Sequence, residues 1–245
     1  EELLRGMPRA EENLFTSVRA EARELAAARR KADPRRAAME TAGVREDALP
    51  KVAGVKHSKP VLVWADYAEE LLLRVDSDVE LPATLLRGAG GERSGAVLYF
   101  DDRGRWTELA SGGALARMSG FLSRGGIHPA VLTVDLRGWG DTRPAPSPYD
   151  AASWAAPERW LAYVSAAAGD PVLAMRIRDG LAALGWLRAQ PGVDPKRVVV
   201  GGHGMGGVVA LYVAAIDGRV GGVFAERFPA SFQTLAEAAR VVRPG

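Results

Sequence analysis

The stretch RVVVGGHGMGGVVALYVAAID, residues 197–217, joins a β-branched run to an apolar segment through a cluster of glycines. Val198, Val199 and Val200 are typical of a strand, and the apolar segment is typical of a helix. The motif GGHGMGG between them fits G-x-S-x-G, in which a sharp strand-to-helix turn exposes a nucleophilic side chain. Gly204 stands where the serine would be. The stretch therefore predicts a strand–turn–helix unit and leaves open whether the turn catalyses a reaction.

The glycines on either side of Gly204 support this prediction. Gly202 and Gly206 lie two residues before and two residues after it. In such a turn the backbones of the strand and the helix come so close at these positions that only small residues fit. The turn is therefore expected to have the architecture of a nucleophile elbow even without a nucleophile.

The composition is that of a globular protein and excludes several classes of function. Of the 245 residues, 47% are hydrophobic and 25% are charged, so the chain can bury a sizeable core. The formal net charge of +2 is too small to indicate a nucleic-acid partner. The absence of cysteine excludes disulfides and thiolate catalysis. No apolar run reaches the roughly 18 residues of a membrane span, so none is expected.

The organisation along the chain predicts an extension and a main domain. Residues 1–60 are expected to form an N-terminal helical extension, with an amphipathic helix at 10–32 and a linker at 43–60. Residues 61–245 are expected to form the main domain. Strands are predicted there at 71–75, 79–86, 96–100, 130–135, 197–202 and 221–225, and helices at about 108–124, 172–189 and 206–215. This alternation predicts an α/β fold with a mostly parallel sheet and helices on both faces.

An insert over residues 138–171 follows one of the predicted strands at its carboxyl end. In α/β sheets this is the edge at which ligands bind. The insert is rich in proline and carries several aromatic residues, among them Tyr149, Trp154, Trp160 and Tyr163. It is interpreted either as a lid or pocket wall, or as a loop that its aromatic residues anchor to the domain.

Two further motifs accompany the glycine turn. VLTVDLRGWGDTRP, residues 131–144, is a strand followed by D-x-R-G-x-G. GWLRAQPGVDPKRVVVGGHGMGG, residues 185–207, is a helix, a proline-bounded turn, a strand and the glycine turn. Over roughly residues 70–226 the chain resembles the α/β-hydrolase superfamily, most closely its acetyl xylan esterase-like and dipeptidyl-peptidase-like members. The resemblance implies an α/β-hydrolase fold, here without its last strands.

The resemblance also assigns roles within the turn. Gly204 takes the nucleophile position, and the backbone N–H of Met205 is expected to be one donor of an oxyanion hole. His203 precedes the nucleophile position and is interpreted mainly as a structural support of the turn, with a role as a base or ligand as the alternative. No histidine follows Gly204 in the sequence, although in the family the catalytic acid and histidine come after the nucleophile.

The second oxyanion donor is expected from the loop after the strand AVLYF. This loop reads DDRGRW, residues 101–106, where the family has His-Gly or a glycine-rich sequence. Asp101 and Asp102 bring negative charge towards the oxyanion position unless Arg103 or Arg105 compensates for it. The pair is interpreted as part of a solvated loop, with a hard-cation site as the less favoured alternative. We expect neither a metal nor a cofactor.

Three functional hypotheses follow from Gly204. The favoured one is a pseudo-hydrolase of carboxylic-ester hydrolase lineage, as a fragment or half of a larger esterase. The alternatives are an active serine esterase captured with glycine in place of serine or in truncated form, and a non-catalytic interaction module. The expected ligand is an ester or acetylated carbohydrate, and the expected partner is another domain of a longer parent protein. The chain starts with Glu1 and shows no signal peptide, which leaves the compartment unknown and a secreted or periplasmic parent open.

Overall fold

A computed structural model of the chain describes residues 14–29, 33–63, 66–76, 78–88, 94–110, 112–144, 157–229 and 231. The chain divides into two compact units. The smaller unit combines the two ends of the chain, and its described part contains helix α1 (Leu14–Arg29), which lies within the predicted helix at 10–32. The larger unit, Arg35–Phe228, contains the sheet. Among the described helices, none combines the length and apolar character that a membrane crossing needs.

The larger unit is built on a sheet to which eight described strands belong. These strands are β1 (Gly54–His57), β2 (Val61–Val63), β3 (Asp66–Asp76), β4 (Val79–Gly88), β5 (Ser94–Asp101), β6 (Ala130–Val134), β7 (Val193–His203) and β8 (Gly222–Glu226). Their order is β1-β3-β4-β6-β5-β7-β8, with β2 also paired to β3. The pairs β6–β5, β5–β7 and β7–β8 are parallel, and the remaining pairs are antiparallel. The strands predicted at 71–75 and 79–86 lie within β3 and β4, which pair with each other.

Helices connect the parallel strands and cover the sheet. The helices of the larger unit are α2 (Pro34–Ala42), α3 (Ala114–Arg124), α4 (Pro157–Ala167), α5 (Val172–Arg188) and α6 (Met205–Asp217). The predicted helix at 108–124 begins only at Ala114, because the Glu108 carboxylate folds back and accepts a hydrogen bond from the Ala114 backbone N–H. This contact gives the first turn of α3 the acceptor that a capping side chain usually provides.

The sheet has an apolar core on each face. Along β5, Leu98 and Phe100 belong to the larger core, to which α2, α5 and α6 contribute. Val97 and Tyr99, which alternate with them, belong to a smaller core with residues of α3. The alternation follows from strand geometry, in which successive side chains point to opposite faces. The predicted α/β class with helices on both faces is therefore confirmed.

The structure differs from the predicted boundary at residue 61. Residues 35–60 belong to the larger unit, and the predicted linker at 43–60 contains the edge strand β1, which pairs with β3 from Gly54 opposite Arg74 to His57 opposite Leu71. Ala38 and Ala42 of α2 are buried in the larger core. A strand of four residues is too short to show an alternating pattern, so no local signal predicts it.

Candidate functional site

The glycine turn lies where β7 ends and α6 begins. Gly204 has φ 57° and ψ −128°. This conformation favours glycine, because a residue with a Cβ atom is strained there. Its backbone N–H donates to the Glu226 carbonyl at the end of β8, at 3.0 Å. The turn is therefore fixed to the neighbouring parallel strand, and it stands at the carboxyl edge of the sheet.

The flanking glycines lie at close backbone contacts, as their spacing predicts. A Cβ atom on Gly202 would lie 2.3 Å from the carbonyl carbon of Gly206. A Cβ atom on Gly206 would lie 2.2 Å from the carbonyl oxygen of Phe100 in β5. Both distances are shorter than van der Waals contact, so α6 can approach the sheet this closely only with glycine at both positions.

The carboxylate of Asp102 fills the space beside Gly204. A Cβ atom on Gly204 would lie 2.1 Å from Asp102 Oδ2. The same oxygen accepts a hydrogen bond from the backbone N–H of Met205 at 2.9 Å. The N–H expected to serve as an oxyanion donor therefore already binds an anion that belongs to the protein. The sequence placed Asp102 near the oxyanion position, but it did not indicate that this contact forms.

Asp101 is buried rather than solvated, which corrects the interpretation of the DDRGRW loop. Its side chain is 1% exposed. Its Oδ1 accepts hydrogen bonds from the backbone N–H and Nε of Arg103, at 2.9 and 2.8 Å, and its Oδ2 accepts one from Nη2 at 2.7 Å. These bonds, with a further one to Glu108, raise the pKa of Arg103 above its ordinary value. Arg103 thus compensates for the charge of Asp101, and these contacts engage the guanidinium that was a candidate for the oxyanion loop.

Arg105 binds a different set of carboxylates, to which Asp102 does not belong. Its guanidinium contacts Asp135 at the end of β6, Asp141 in the 3-10 turn Gly140–Thr142, and Glu70 of β3. Burial opposes its charge, but these hydrogen bonds raise the pKa of Arg105 above its ordinary value. Asp135 also accepts from the Arg105 backbone N–H, so the D-x-R-G-x-G motif and the DDRGRW loop are joined through this pair.

His203 lies beside both aspartates without bonding to either. Its Nδ1 is 3.5 Å from Asp102 Oδ1 and 3.9 Å from Asp101 Oδ1, and among the described residues this buried nitrogen has no hydrogen-bond partner. In the part of the chain that the structure describes, these three residues are the group whose ligand atoms lie close enough, within 4.8 Å, to hold a metal ion. Both oxygens of Asp101 are bound to Arg103, and Oδ2 of Asp102 is bound to Met205. The carboxylates therefore serve contacts within the protein.

The described part of the insert contains α4, and α4 is attached to α5. Glu158 of α4 forms a bidentate ion pair with Arg176 of α5, at 2.5 and 2.8 Å. The Arg176 guanidinium lies 4.1 Å from the centre of the Trp139 ring, within the range of a cation–π interaction. Trp160 and Tyr163 are exposed. Tyr149 and Trp154, by contrast, lie outside the described residues, so the lid interpretation stays a prediction.

A protein-family model matches about a third of the chain. The model of the dienelactone hydrolase family matches residues 161–243. No curated protein matches the sequence.

Several solved structures are similar. Acetyl xylan esterase 1 from Thermoanaerobacterium sp. JW/SL YS485 is 18% identical, with a TM-score of 0.52 over 77% of this chain and 56% of that chain. A Bacteroides fragilis NCTC 9343 protein, provisionally assigned as an acetyl xylan esterase, is 14% identical, with a TM-score of 0.59 over 91% of this chain and 57% of that chain. A methylesterase is 16% identical, with a TM-score of 0.57 over 85% of this chain and 41% of that chain.

The chain thus spans little more than half the length of the acetyl xylan esterases that it matches. At such low identities the similarity shows the fold. The chain has the α/β-hydrolase fold and is similar to acetyl xylan esterase-like proteins, as its motifs predict.

Proposed function

We propose that this chain is a non-hydrolytic α/β-hydrolase domain of esterase ancestry, in which the glycine turn is a nucleophile elbow without its nucleophile. The dienelactone hydrolase match and the similarity to acetyl xylan esterases support the ancestry. The observation that carries the proposal is the Asp102 carboxylate, which accepts the Met205 N–H and takes the space of a side chain at residue 204.

Ester hydrolysis through an acyl-enzyme needs two groups at this turn. A nucleophilic oxygen at residue 204 must attack the carbonyl carbon, and the N–H of residue 205 must be free to stabilise the oxyanion that develops. Gly204 has no side chain, and the Met205 N–H donates to Asp102. A carboxylate at this point also repels a developing oxyanion. The turn therefore lacks the nucleophile and disfavours the charge of the transition state.

The same contact weighs against an active serine esterase in which glycine has simply replaced serine. The Cβ atom of a serine at residue 204 would lie 2.1 Å from Asp102 Oδ2, so the serine form would also need Asp102 in another position. A serine at residue 204 therefore fits only when the Asp102 carboxylate rotates away from the Met205 N–H. We infer that hydrolysis is disfavoured as long as Asp102 competes for this N–H.

The ligand that we propose for the domain is an ester or an acetylated carbohydrate. Among the similar structures reported above, one carries the name acetyl xylan esterase, one is provisionally assigned that name, and one carries the name methylesterase. A domain that keeps this fold without the chemistry can still hold such a ligand for another domain of a longer protein. Its role would then be binding, because the elbow supplies no reaction step.

The experiment is the hydrolysis of p-nitrophenyl acetate by the native chain, by Gly204→Ser, and by the double variant Asp102→Ala/Gly204→Ser. We expect the native chain and Gly204→Ser to release p-nitrophenolate at the rate of buffer. Circular dichroism checks that each variant is folded. Gly169→Ser is the matched control, because Gly169 also has a positive φ, 81°, but open space around its Cβ position.

A burst of p-nitrophenolate equal to the protein concentration in Gly204→Ser would overturn the proposal, because it would show an acyl-enzyme formed without any change at Asp102. Turnover by the native chain above the buffer rate would overturn it as well. A burst in the double variant alone would support it, because that result would identify Asp102 as the group that closes the elbow.

A further inference from the structure

A pocket of about 390 Å³ lies apart from the glycine turn. Strands β1, β3 and β4 form one side of it, and Arg105 and Asp141 from the loops after β5 and β6 form the other. In the sheet, β5 and β6 lie between these strands and β7, which carries the turn. The volume falls within the range of small-molecule sites in proteins. The pocket thus has the size of a small-molecule site and lies away from the turn.

The pocket combines an apolar floor with a polar rim. Leu72 of β3 and Pro82 of β4 lie opposite each other in the strand register and supply the apolar part. Lys56 and His57 of β1 and Asp141 stand at the rim, with side chains that are 70%, 50% and 66% exposed. Donors and acceptors are therefore within reach of one ligand that rests on the floor.

The charged groups of the pocket are already paired. Lys56 binds Glu80 at 2.7 Å, and His57 Nδ1 contacts Glu69 at 2.7 Å.

Arg105, which is 8% exposed, binds both carboxylates of the lining, Glu70 at 3.0 Å and Asp141 at 2.6 Å. Two cations and two carboxylates thus line the pocket, so a charged ligand would have to break an existing pair. An uncharged ligand can use the remaining hydrogen-bonding capacity of each group at no such cost.

We propose that this pocket binds an uncharged polyhydroxylated ring, that is, one or two sugar units of a neutral carbohydrate. Exposed carboxylates such as Asp141 accept hydrogen bonds from vicinal hydroxyls, the Lys56 ammonium donates to them, and the apolar face of the ring packs on Leu72 and Pro82. The choice of a carbohydrate rests on the proposed function, whereas the position and neutrality of the site rest on the pocket alone.

The test is a titration of the full chain with xylobiose and xylotriose, followed by NMR or calorimetry. We expect saturable binding that changes little between low salt and about 0.5 M salt, because no net charge is involved. Asp141→Ala is expected to weaken binding about tenfold, since it removes an ionised acceptor. Asp170→Ala is the matched control, because Asp170 is also half-exposed and paired with an arginine but lies outside the pocket.

Three outcomes would overturn the proposal. The first is that neither xylobiose nor xylotriose shows saturable binding. The second is that Asp141→Ala binds the sugars as well as Asp170→Ala does. The third is that glucuronate or glucosamine binds more tightly than xylobiose and loses that affinity in salt. The last outcome would make the pocket an ionic site. None of these results depends on ester turnover, so the failure of this proposal and the failure of the non-hydrolytic function can be told apart.

Discussion

Substitution of Gly204 by serine tests how much the contact between Asp102 and the glycine turn contributes to the free energy of unfolding. The new Cβ atom would lie 2.1 Å from Asp102 Oδ2, so the carboxylate must move away. The move breaks its hydrogen bond to the Met205 N–H, the first residue of α6, where a carboxylate also interacts favourably with the helix dipole. Serine must in addition adopt φ 57° and ψ −128°. Both effects lower the free energy of unfolding.

The size of the effect follows from these two contributions. An L residue in such a conformation costs about 1–3 kcal/mol. Loss of a carboxylate that caps a helix N-terminus costs about 1–2 kcal/mol. We therefore expect Gly204→Ser to lower the free energy of unfolding by about 2–5 kcal/mol. Gly169→Ser, which has positive φ without a contact, should cost only about 1–2 kcal/mol.

The assay is urea unfolding followed by circular dichroism, with a double-mutant cycle between Gly204→Ser and Asp102→Ala. Each single variant loses the same hydrogen bond, so the double variant should be more stable than the sum of the two changes predicts, by about 1–2 kcal/mol. Additive effects, or a Gly204→Ser variant no less stable than Gly169→Ser, would refute the reasoning, because either would show that Asp102 and residue 204 do not compete for space.

Two further predictions concern buried charges of the larger unit. Burial, against the opposing hydrogen bonds from Arg137, raises the pKa of Asp179 from 3.8 to about 6, so the folded state binds this proton more tightly than the unfolded chain. The free energy of unfolding should then fall as pH rises through this window, and Asp179→Asn should flatten that slope in urea titrations; equal slopes would contradict it. Arg188→Met should cost about 1–3 kcal/mol, because Asp217, 5% exposed, loses its buried partner and keeps only the exposed Arg219. Arg219→Met removes a 73% exposed partner of the same carboxylate and should cost at most about 1 kcal/mol; equal costs would contradict the assignment.

The fold could be predicted because its signals are local. Val198 to Val200 are β-branched, which indicates a strand, and the glycines on both sides of residue 204 indicate a close backbone contact. Each of these signals lies within a few neighbouring residues. The helix predicted at 172–189 is α5 (Val172–Arg188), and the strand predicted at 221–225 nearly coincides with β8. The edge strand β1 was not predicted, because its four residues are defined by pairing with β3 rather than by a pattern of their own.

The candidate site could be predicted only in part, because its decisive contacts join distant positions. The sequence placed Gly204 and Met205 in the turn and the aspartates near it. Which of the two aspartates lies beside Gly204 depends on the Arg103 guanidinium. It turns back and binds Asp101, so that Asp102 is the one beside Gly204. Met205 and Asp102 are 103 positions apart. No spacing rule relates residues so far apart, so their hydrogen bond required the folded chain.

Gly204 and Asp102 are best understood as one physical unit. Asp102 can accept the Met205 N–H only because residue 204 has no Cβ atom, and Gly204 leaves space that the carboxylate fills. At this point an anion is favoured by the N-terminus of α6, whether it is a transient oxyanion or a permanent carboxylate. A permanent carboxylate stabilises the folded chain at all times, whereas a transient oxyanion needs the same N–H to be free. The arrangement therefore uses the helix N-terminus for a permanent structural contact, and the proposed lack of hydrolysis rests on this contact together with the missing side chain at residue 204.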